Sequence, residues 1–555
     1  MTEKIVVIGG VAAGAGAATK ARRTNESAEI IMFERGSYVS FANCGLPYYV
    51  GGEIKERNML FLVTPEAFRT RFNIDVRIDH EVKTINRAEK YVEVVDHTLG
   101  RTFKQPYTKL IVATGGTALK PPIPGINLKG ISTLWTVPDV DSIMSSLREK
   151  RVSQVVVVGG GFVGLETAEA FLNQGVKVKL VERLPQVMTP LDPEMAGIIT
   201  RHLEAKGAEV ILSDGVKQFL GQELLEGVEL TSGRLLKADL AVVAVGVKPE
   251  LELIKEAGLA LGETGGVQVN SRMQTSDPDI FAAGDIVEST NLITGRKVRV
   301  PLAGPANKQG RVAGANAAGG SMEFEGVLGT SVVKVCDLTA AKTGLNEREA
   351  TEAGLDFFVS YTHNADHATY YPGATPMVIK LVAEKESGRL LGAQAVGIHG
   401  VDKRIDVLAT AIYGRMTVYN LENLDLAYAP PYSSAKDPAI MAGLVASNVV
   451  RGEVEVMTGA QLLAAMKNGE NLQVVDCRTP LEYSNGNIPG AKNIPVDEMR
   501  QRSGELEQGR TTVLYCGIGY RSYLSYKILE AQGFTNLKNF SGGFQSWNLA
   551  KSVEK

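Results

Sequence analysis

The chain has 555 residues, which is too many for one domain, and at about 150 residues per domain it predicts three or four units. Its 59 basic and 62 acidic residues nearly cancel, which argues against a nucleic-acid binder or a membrane-surface binder. The four cysteines are scattered, no signal-peptide pattern is present, and no apolar run reaches the ~18–20 residues of a membrane helix. We therefore expect a cytoplasmic protein without a disulfide framework.

The N-terminal segment predicts a strand, a glycine turn, a helix and a second strand. Lys4 to Ile8 is a β-branched run typical of a buried parallel strand, and an Ala-rich helix follows the turn. Glu29 to Phe33 predicts the next strand, which ends on Glu34. The turn contains Gly9, Gly10 and Gly14, with Val11 in place of the middle glycine of a G-x-G-x-x-G motif. Such a turn offers backbone N–H groups and a helix N-terminus to a pyrophosphate, so it predicts a dinucleotide site.

A second unit of the same kind begins near residue 154. Gln154 to Val158 and Lys177 to Val181 predict its strands, and Glu182 follows the second one. Its turn matches the motif in full with Gly159, Gly161 and Gly164. One such match is also compatible with a simple tight turn, but two, each with a ribose-binding acid after the next strand, favour two dinucleotides that exchange electrons.

The rest of the chain continues the strand pattern and then changes character. Apolar strands stop at Gly115, at Gly246 and at Asp285, whereas residues 326–446 mix strand-like and helical periodicity. A further unit starts near residue 455 with two strand patterns, Leu472 to Asp476 and Thr512 to Cys516. The joint at 447–452 has no Pro- or Ser-rich linker, so we expect this last domain to be docked rather than loosely tethered.

Cys44 stands ten residues after the ribose acid Glu34, in the segment Ser40 to Tyr48. A free thiol is most often a buried structural residue. The polar, turn-like neighbours of Cys44 and its position after a cofactor-binding strand instead favour a reactive role. The six histidines show no metal-ligand spacing, so no metal is expected.

Residues 1–446 resemble the flavoprotein disulfide reductases that carry two dinucleotide domains. The resemblance rests on the first glycine turn with Glu34, on the sequence ATG at 113–115 and on TSDPDIFAAGD at 275–285. It implies FAD at the first turn, with Asp285 on the ribityl chain, and NAD(P)H at the second. Glu182 would repel a 2′-phosphate and favours NADH, although Arg183 could offset this and leaves NADPH open. The residues expected to contact the two dinucleotides are Gly9, Gly10, Gly14, Glu34, Arg35, Ala113, Thr114, Gly115, Asp285, Gly159, Gly161, Phe162, Val163, Gly164, Glu182 and Gly246.

The sequence SFANCG at 40–45 is similar to the single-cysteine branch of these enzymes, namely coenzyme A disulfide reductases, NADH oxidases and NADH peroxidases. The segments around Tyr370 and Tyr428 resemble the first of these. The resemblance implies a homodimer in which these two tyrosines reach the partner's cysteine site, whereas ordinary aromatic packing is the alternative. It also makes coenzyme A the expected ligand, although a cluster of basic residues by itself suggests only a solvated face. The candidate contacts are Lys20, Arg22, Arg23, Ser40, Asn43, Asn307, Arg311, Lys403, Arg404 and Lys436.

The C-terminal unit resembles a rhodanese domain through DCRTPLEY at 476–483, IPGAKNIP at 488–495 and CGIGYRS at 516–522. The resemblance implies that Cys516 carries a persulfide, which the N–H groups of the loop and Arg521 stabilise. Cys477 occupies a position where the family usually has Val and is predicted to be structural, as is Cys336, which we expect inside the apolar strand Val332 to Val335.

Together these patterns predict an α/β protein with two Rossmann-like FAD- and NAD(P)-binding domains, an α+β dimerisation domain and an α/β rhodanese domain. The expected ranges are 1–113 with 246–325 for FAD, 114–245 for NAD(P)H, 326–446 for dimerisation and 455–555 for rhodanese. The predicted activity is NAD(P)H-dependent reduction of coenzyme A disulfide, coenzyme A persulfide or polysulfide through Cys44, with sulfane sulfur exchanged by the rhodanese domain. Two alternatives remain, an NADH oxidase or peroxidase that uses a Cys44 sulfenic acid and a non-enzymatic sulfur carrier or redox sensor.

Overall fold

The computed structural model describes residues 3–149 and 152–553 of the chain. These residues divide into two units, one made of residues up to 185 together with 207–327, the other of 186–206 together with residues from 328 onward. The helix Pro193–Ala205 therefore belongs to the second unit, although the sequence places it within the expected NAD(P)H domain.

Two parallel five-stranded sheets form the core of the first unit, and each contains one of the predicted glycine turns. The strands of the first sheet, in spatial order, are Ile280–Ala282, Lys109–Val112, Lys4–Ile8, Glu29–Phe33 and Asp75–Arg77. Those of the second are Glu209–Ile211, Lys177–Val181, Gln154–Val158, Leu240–Val243 and Ile131–Ser132. Their central strands are apolar and buried on both faces, as expected where helices cover a parallel sheet.

Smaller antiparallel sheets and seven helices complete the described part of the first unit. The small sheets are formed by His80–Asn86, Tyr91–Asp96 and Arg101–Pro106, by Val216–Leu220, Gly227–Leu230 and Leu235–Lys237, by Gly116–Ala118 and Val247–Pro249, and by Ser289–Thr290 and Lys297–Val298. The α-helices are Ala12–Thr24, Leu46–Val50, Pro65–Phe72, Val137–Arg148, Phe162–Asn173, Glu252–Glu256 and Ala303–Ala317, and the 3-10 turns are Asn43–Gly45 and Arg57–Leu60.

The second unit contains one antiparallel and one parallel sheet. The antiparallel strands, in spatial order, are Ser331–Val335, Leu338–Gly344, Leu390–Gly397, Pro376–Glu384 and Phe357–Ala365. The parallel strands are Val456–Met457, Leu537–Phe540, Thr511–Tyr515, Leu472–Asp476 and Lys492–Asn493. The helices are Pro193–Ala205, Glu347–Glu352, Val401–Tyr413, Val418–Glu422, Pro438–Val450, Gly459–Lys467, Pro480–Ser484, Met499–Arg502, Tyr520–Ala531 and Gly543–Val553, with a 3-10 turn at Ser503–Glu505. Cys336 lies in the turn between the first two antiparallel strands, with a φ of 58°, and not within a strand.

A buried lysine ties segment 186–206 to the antiparallel sheet. Lys380 is 0% exposed, and its ammonium lies 2.7 Å from Asp192 and 2.5 Å from Glu194, and also contacts Glu347. The Tyr361 hydroxyl donates to Glu194 over 2.9 Å. Because a buried cation is costly unless it is paired, these carboxylates keep the segment with the second unit.

The C-terminal parallel sheet is docked against the antiparallel sheet, as the absence of a linker predicts. The backbone N–H of Tyr361 donates to the Ser541 hydroxyl over 3.0 Å, and Nε2 of His363 lies 2.8 Å from Oγ of Ser546. Burial lowers the pKa of His363 to about 4, so this contact is made by a neutral imidazole near pH 7. Among the helices of the described residues, none is both long and apolar enough to span a bilayer.

Candidate active sites

The two glycine turns of the first unit have the same backbone geometry. Gly9 has a φ of 96° and Gly159 a φ of 109°, a region that side-chain-bearing residues rarely adopt. A Cβ on Gly14 would lie 1.8 Å from the carbonyl oxygen of Gly9, and one on Gly164 would lie 1.9 Å from that of Gly159. These positions therefore require glycine, because the helix packs directly on the preceding strand end.

The middle position of the motif has a different requirement. Val11 has a φ of −102° and Gly161 a φ of −80°, both accessible to ordinary residues, and a Cβ on Gly161 would meet nothing within 4 Å. Valine at position 11 is thus compatible with the turn itself. In the second turn, glycine leaves open space in front of the helix N-terminus, where a phosphate would bind.

A carboxylate faces each turn from the end of the neighbouring strand. Glu34 accepts the backbone N–H groups of Gly10 and Gly36 over 2.8 and 2.9 Å. Glu182 accepts those of Gly160 and Leu184 over 2.6 and 2.8 Å. Burial raises the pKa of Glu34, whereas the two N–H bonds oppose the rise. Each site therefore combines the N-terminus of a helix, which donates hydrogen bonds, with a fixed carboxylate, which accepts them. These are the groups that bind the pyrophosphate and the ribose of a dinucleotide.

The remaining predicted dinucleotide residues lie around these turns. The carbonyl oxygen of Ala113 is the atom that a Cβ on Gly9 would strike, at 2.2 Å. The Thr114 hydroxyl donates to the carbonyl of Glu250 over 2.9 Å, and Arg35 lies 3.7 Å from the Glu250 carboxylate. Gly115, Gly246, Phe162 and Val163 follow strand ends or begin the second helix. The cradle around Gly9 therefore fits the pyrophosphate and ribose of FAD.

Cys44 lies in a 3-10 turn, Asn43–Gly45, between the first dinucleotide turn and the short helix Leu46–Val50. Its side chain is exposed, and Ser40 upstream has a φ of 46°, a strained value for a residue with a side chain. Partial removal of water raises the pKa of the Cys44 thiol, and the carboxylates of Glu166 and Asp285 raise it further. Asp285, predicted to bind the ribityl chain, and Cys44, the predicted redox cysteine, are thus neighbours in the fold.

Glu166 is a site residue that the sequence did not reveal. It lies on the helix Phe162–Asn173 that begins at the second dinucleotide turn, and it accepts a hydrogen bond from the Tyr48 hydroxyl over 3.3 Å. Burial raises the pKa of Glu166 to about 7, the bond from Tyr48 opposes the rise, and Glu169 adds to it. A carboxyl that titrates near neutral pH therefore lies where the helix Phe162–Asn173 meets the segment that carries Cys44.

Four of the predicted coenzyme A residues lie on two closely packed helices of the first unit. Lys20 and Arg23 are on Ala12–Thr24, while the exposed Asn307 and Arg311 are on Ala303–Ala317. Ser40 and Asn43 flank Cys44, and the Asn43 side chain donates to the carbonyl of Trp135 over 3.4 Å.

Arg22 requires a correction to the prediction. It is 4% exposed, and its guanidinium donates to the backbone carbonyls of Phe72, Asn73 and Glu26 over 2.9, 2.7 and 2.5 Å. It holds the end of its helix against the chain and presents no free cation to a phosphate.

The predicted coenzyme A residues of the second unit also separate into two groups. Arg404 is 1% exposed, and its guanidinium is held by Asp437 over 2.9 Å and by the carbonyl of Asp366 over 2.7 Å. The expectation that Arg404 binds coenzyme A is therefore corrected, because its donors are committed inside the protein. Lys403 lies 3.5 Å from Asp437 and is half-buried, whereas Lys436 is exposed.

Tyr370 and Tyr428 are brought together at the surface of the second unit. Their hydroxyl oxygens lie 2.7 Å apart, although the residues are 58 positions apart in the sequence. Tyr370 is 75% and Tyr428 48% exposed, and the hydrogen bond between them raises the pKa of Tyr370. Exposed large aromatic side chains are typical of binding or subunit surfaces and not of a packed core.

Cys516 directly follows the central strand Thr511–Tyr515 of the C-terminal sheet and precedes the helix Tyr520–Ala531. Its sulfur accepts the backbone N–H of Gly519 over 3.2 Å and the Ser522 hydroxyl over 3.7 Å. Gly519 has a φ of 103°, which turns its N–H toward the sulfur. One backbone N–H and one hydroxyl of this loop therefore donate to the same sulfur atom.

Arg521, the predicted anion-stabilising residue of this loop, is positioned by a partner that the sequence did not reveal. Its guanidinium donates to both carboxylate oxygens of Glu482 over 2.6 and 2.8 Å. The bond to Arg521 holds the pKa of Glu482 at about 2, so the pair stays ionised at neutral pH. Glu482 could have been noticed only as an acid in the first turn of a helix, which is a common feature with a capping role.

Two solved structures and one further protein are similar to this chain. The solved structure of reduced Bacillus anthracis CoADR-RHD is 44% identical, covers 100% of this chain and 98% of its own, and has a TM-score of 0.96. An NAD-dependent persulfide reductase from A. fulgidus is 41% identical over 98% of this chain and 100% of its own, with a TM-score of 0.91. The NAD(P)H coenzyme A polysulfide/persulfide reductase of Pyrococcus horikoshii is 38% identical over 446 residues, 80% of this chain and 98% of that protein.

Three family models match successive parts of the chain. They are the pyridine nucleotide-disulphide oxidoreductase model over residues 3–310, its dimerisation domain over 330–440 and the rhodanese-like domain over 459–550. The chain belongs to the pyridine nucleotide-disulphide oxidoreductase family and carries a C-terminal rhodanese-like domain. The family resemblance and the fold class predicted from the sequence are confirmed.

Proposed function

We propose that the chain is an FAD-dependent NAD(P)H reductase that reduces coenzyme A disulfide, coenzyme A persulfide or polysulfide through Cys44. Its rhodanese-like domain supplies or accepts sulfane sulfur through Cys516. The observation that supports this proposal is the position of the exposed Cys44 in the chain between the two dinucleotide turns. The same chain also contains Cys516, whose sulfur accepts a backbone hydrogen bond within its loop. The similar proteins, named for persulfide and coenzyme A polysulfide reduction, support the same sulfur chemistry.

Within the first unit, Gly9, Gly14 and Glu34 would hold FAD, and Gly159, Gly164 and Glu182 would hold NADH. FAD, when bound, supplies the means to take a hydride from the nicotinamide and pass the electrons to sulfur. Glu182 favours NADH because its carboxylate is already fixed by two backbone N–H groups and would repel a 2′-phosphate.

Cys44 would act as the nucleophile toward the substrate sulfur, and it needs the thiolate form to do so. Burial raises the pKa of this thiol in the protein alone, and Glu166 and Asp285 raise it further. The negative charges close to Cys44 therefore favour release of an anionic thiolate or sulfide from the site once the sulfur bond is broken. Because Glu166 itself titrates near pH 7, this effect increases across neutral pH.

We infer that the protein is a homodimer in which Tyr370 and Tyr428 reach the cysteine site of the other subunit. The dimerisation-domain match and the high exposure of both side chains support this assignment. Their paired hydroxyls can pass a proton to a departing thiolate. Replacement of either by Phe should lower kcat for coenzyme A disulfide by about 100-fold or more while leaving NADH-dependent flavin reduction unchanged. Equal loss in both half-reactions would contradict the assignment.

The test of the main proposal compares Cys44→Ser and Cys516→Ser with Cys336→Ser as the matched cysteine control. NADH consumption is measured by stopped flow with coenzyme A disulfide, coenzyme A persulfide and polysulfide as acceptors. Cys44→Ser should lose turnover with all three acceptors, and Cys516→Ser should keep coenzyme A disulfide turnover but lose sulfur transfer from thiosulfate. Full turnover by Cys44→Ser, or oxygen turnover exceeding sulfur turnover in the unsubstituted protein, would refute the proposal.

A further inference from the structure

The rhodanese-like domain contains a second cysteine beside Cys516. The strands Leu472–Asp476 and Thr511–Tyr515 pair in parallel, with Asp476 opposite Tyr515. The next residues are Cys477 and Cys516, and the ladder continues because the N–H of Cys477 donates to the carbonyl of Tyr515 over 2.8 Å. Cys477 and Cys516 are therefore direct neighbours across the ends of two adjacent strands.

The two side chains also point to the same face of the sheet. Cys477 and Cys516 belong to one buried core cluster together with Val475 and Leu514, whereas Val474, Val513 and Tyr515 belong to the cluster on the opposite face. Neighbouring strands lie about 4.8 Å apart, inside the 4.4–6.8 Å range of Cα separations that disulfides accept. Each cysteine is 1% exposed, so the two sulfurs lie side by side inside the domain.

The helix Tyr520–Ala531 places one hydroxyl beside each sulfur. Ser522 donates to Cys516 over 3.7 Å, and Ser525, one helical turn later, lies beside Cys477. The Ser525 hydroxyl is fully buried and makes no other hydrogen bond among the described residues. A buried hydroxyl without a conventional partner is costly, which suggests that it serves the adjacent sulfur.

We propose that Cys477 is a second reacting thiol of the rhodanese-like domain, which closes on persulfidated Cys516 and releases sulfide when no acceptor thiol is present. The inference rests on the proposed role of Cys516 as a persulfide carrier. It replaces the sequence-based expectation of a purely structural Cys477.

The step balances within the protein. Sγ of Cys477 attacks Sγ of Cys516, the bond between the two cysteines forms, and the bond from Cys516 to its outer sulfur breaks. The outer sulfur leaves with the bonding electron pair and takes up the proton of the Cys477 thiol. The two cysteine sulfurs are oxidised to a disulfide and the sulfane sulfur is reduced to sulfide, so no further oxidant or reductant is needed.

The environment of Cys477 makes this closure slower than transfer to a dissolved thiol. Burial raises the pKa of Cys477, the Ser525 hydroxyl and Arg521 oppose the rise, and Cys516 and Asp476 add to it. The attacking sulfur is therefore mostly the neutral thiol at neutral pH and reacts slowly. An acceptor such as coenzyme A would take the sulfur first, and closure would follow only when the acceptor is exhausted.

The experiment uses the full-length chain carrying Cys44→Ser, so that the exposed cysteine of the first unit cannot take up sulfur, and peptide mapping shows which remaining cysteine is loaded. The reduced protein is treated anaerobically with thiosulfate, freed of donor, and followed by intact mass spectrometry, peptide mapping and sulfide assay. The Cys44→Ser chain, here the parent, should first gain the mass of one sulfur atom. It should then release one sulfide and become two hydrogen atoms lighter than the reduced chain. A Cys477–Cys516 peptide pair should appear at the same rate.

The matched variants are Cys477→Val, which keeps a similar volume without a thiol, and Cys477→Ala in case valine disturbs folding. In both, the persulfide should persist at least about tenfold longer, because the neighbouring thiol is lost. Equal persulfide lifetimes in the parent and both variants would overturn the proposal. If no form gains a sulfur atom, the carrier role of Cys516 in the proposed function fails, and this inference fails with it.

Discussion

Replacing Glu166 by Gln should remove a pH-dependent loss of stability. An ordinary glutamate has a pKa near 4.5, and burial raises that of Glu166 to about 7 in the folded protein. At about 1.36 kcal/mol per pKa unit this corresponds to roughly 3 kcal/mol. Because the folded state binds the Glu166 proton more tightly than the unfolded state, the contribution of Glu166 to stability is complete below pH 4.5 and is lost as the pH rises through 7.

The assay is denaturant unfolding of the FAD-loaded protein at several pH values between 5 and 8, followed by flavin release. Between the two ends of that range, the unfolding free energy of the unsubstituted protein should fall by about 2–3 kcal/mol more than that of Glu166→Gln. The exposed Glu56 provides the control, and Glu56→Gln should follow the unsubstituted protein. Parallel curves for Glu166→Gln and the unsubstituted protein would refute the reasoning.

The same substitution has a second readout at the reactive cysteine. The ionised Glu166 carboxylate raises the pKa of Cys44, so its removal should move the alkylation profile of Cys44 to lower pH. Iodoacetamide labelling followed by peptide mass spectrometry measures this profile. A structural effect alone would change the stability without moving the profile.

Four further substitutions test other contacts. Gly164→Ala should lower Tm by several degrees, because its Cβ would lie 1.9 Å from the Gly159 carbonyl oxygen. Gly161→Ala should leave Tm unchanged and raise KM for NADH, because its Cβ enters open space where the phosphate would bind. Equal Tm losses in the two variants would contradict this reasoning. Glu482→Gln should lower kcat/KM for thiosulfate by about 10- to 100-fold through loss of one charged bond to Arg521, and an unchanged value would contradict the role of that bond. Lys380→Met should lower the free energy of unfolding in denaturant by about 3–5 kcal/mol, because three carboxylates lose their cation. An unchanged free energy of unfolding would show that these carboxylates take up protons instead.

The sequence by itself determined the elements around the glycine turns and the identity of the reacting sulfurs. The strands Lys4–Ile8, Gln154–Val158 and Leu472–Asp476 occur where the apolar runs predict them, because parallel strands buried on both faces leave a local signal. Cys44 and Cys516 could be singled out because each follows a strand end within a recognisable motif. The missing middle glycine at Val11 proved compatible with the turn, since that position needs no positive φ.

Only the tertiary structure decided which charges pair and which remain available. The sequence predicts Arg22 and Arg404 as phosphate ligands, but both side chains are buried. Arg22 donates to the carbonyl of Phe72 and Arg404 to the carboxylate of Asp437, and both partners lie far away along the chain. Burial raises the pKa of Glu166, and the bond from Tyr48, which is 118 residues away, opposes the rise. The proximity of Cys477 to Cys516 depends on the register of two strands. Such effects arise from burial and from neighbours in space, which local sequence patterns do not encode.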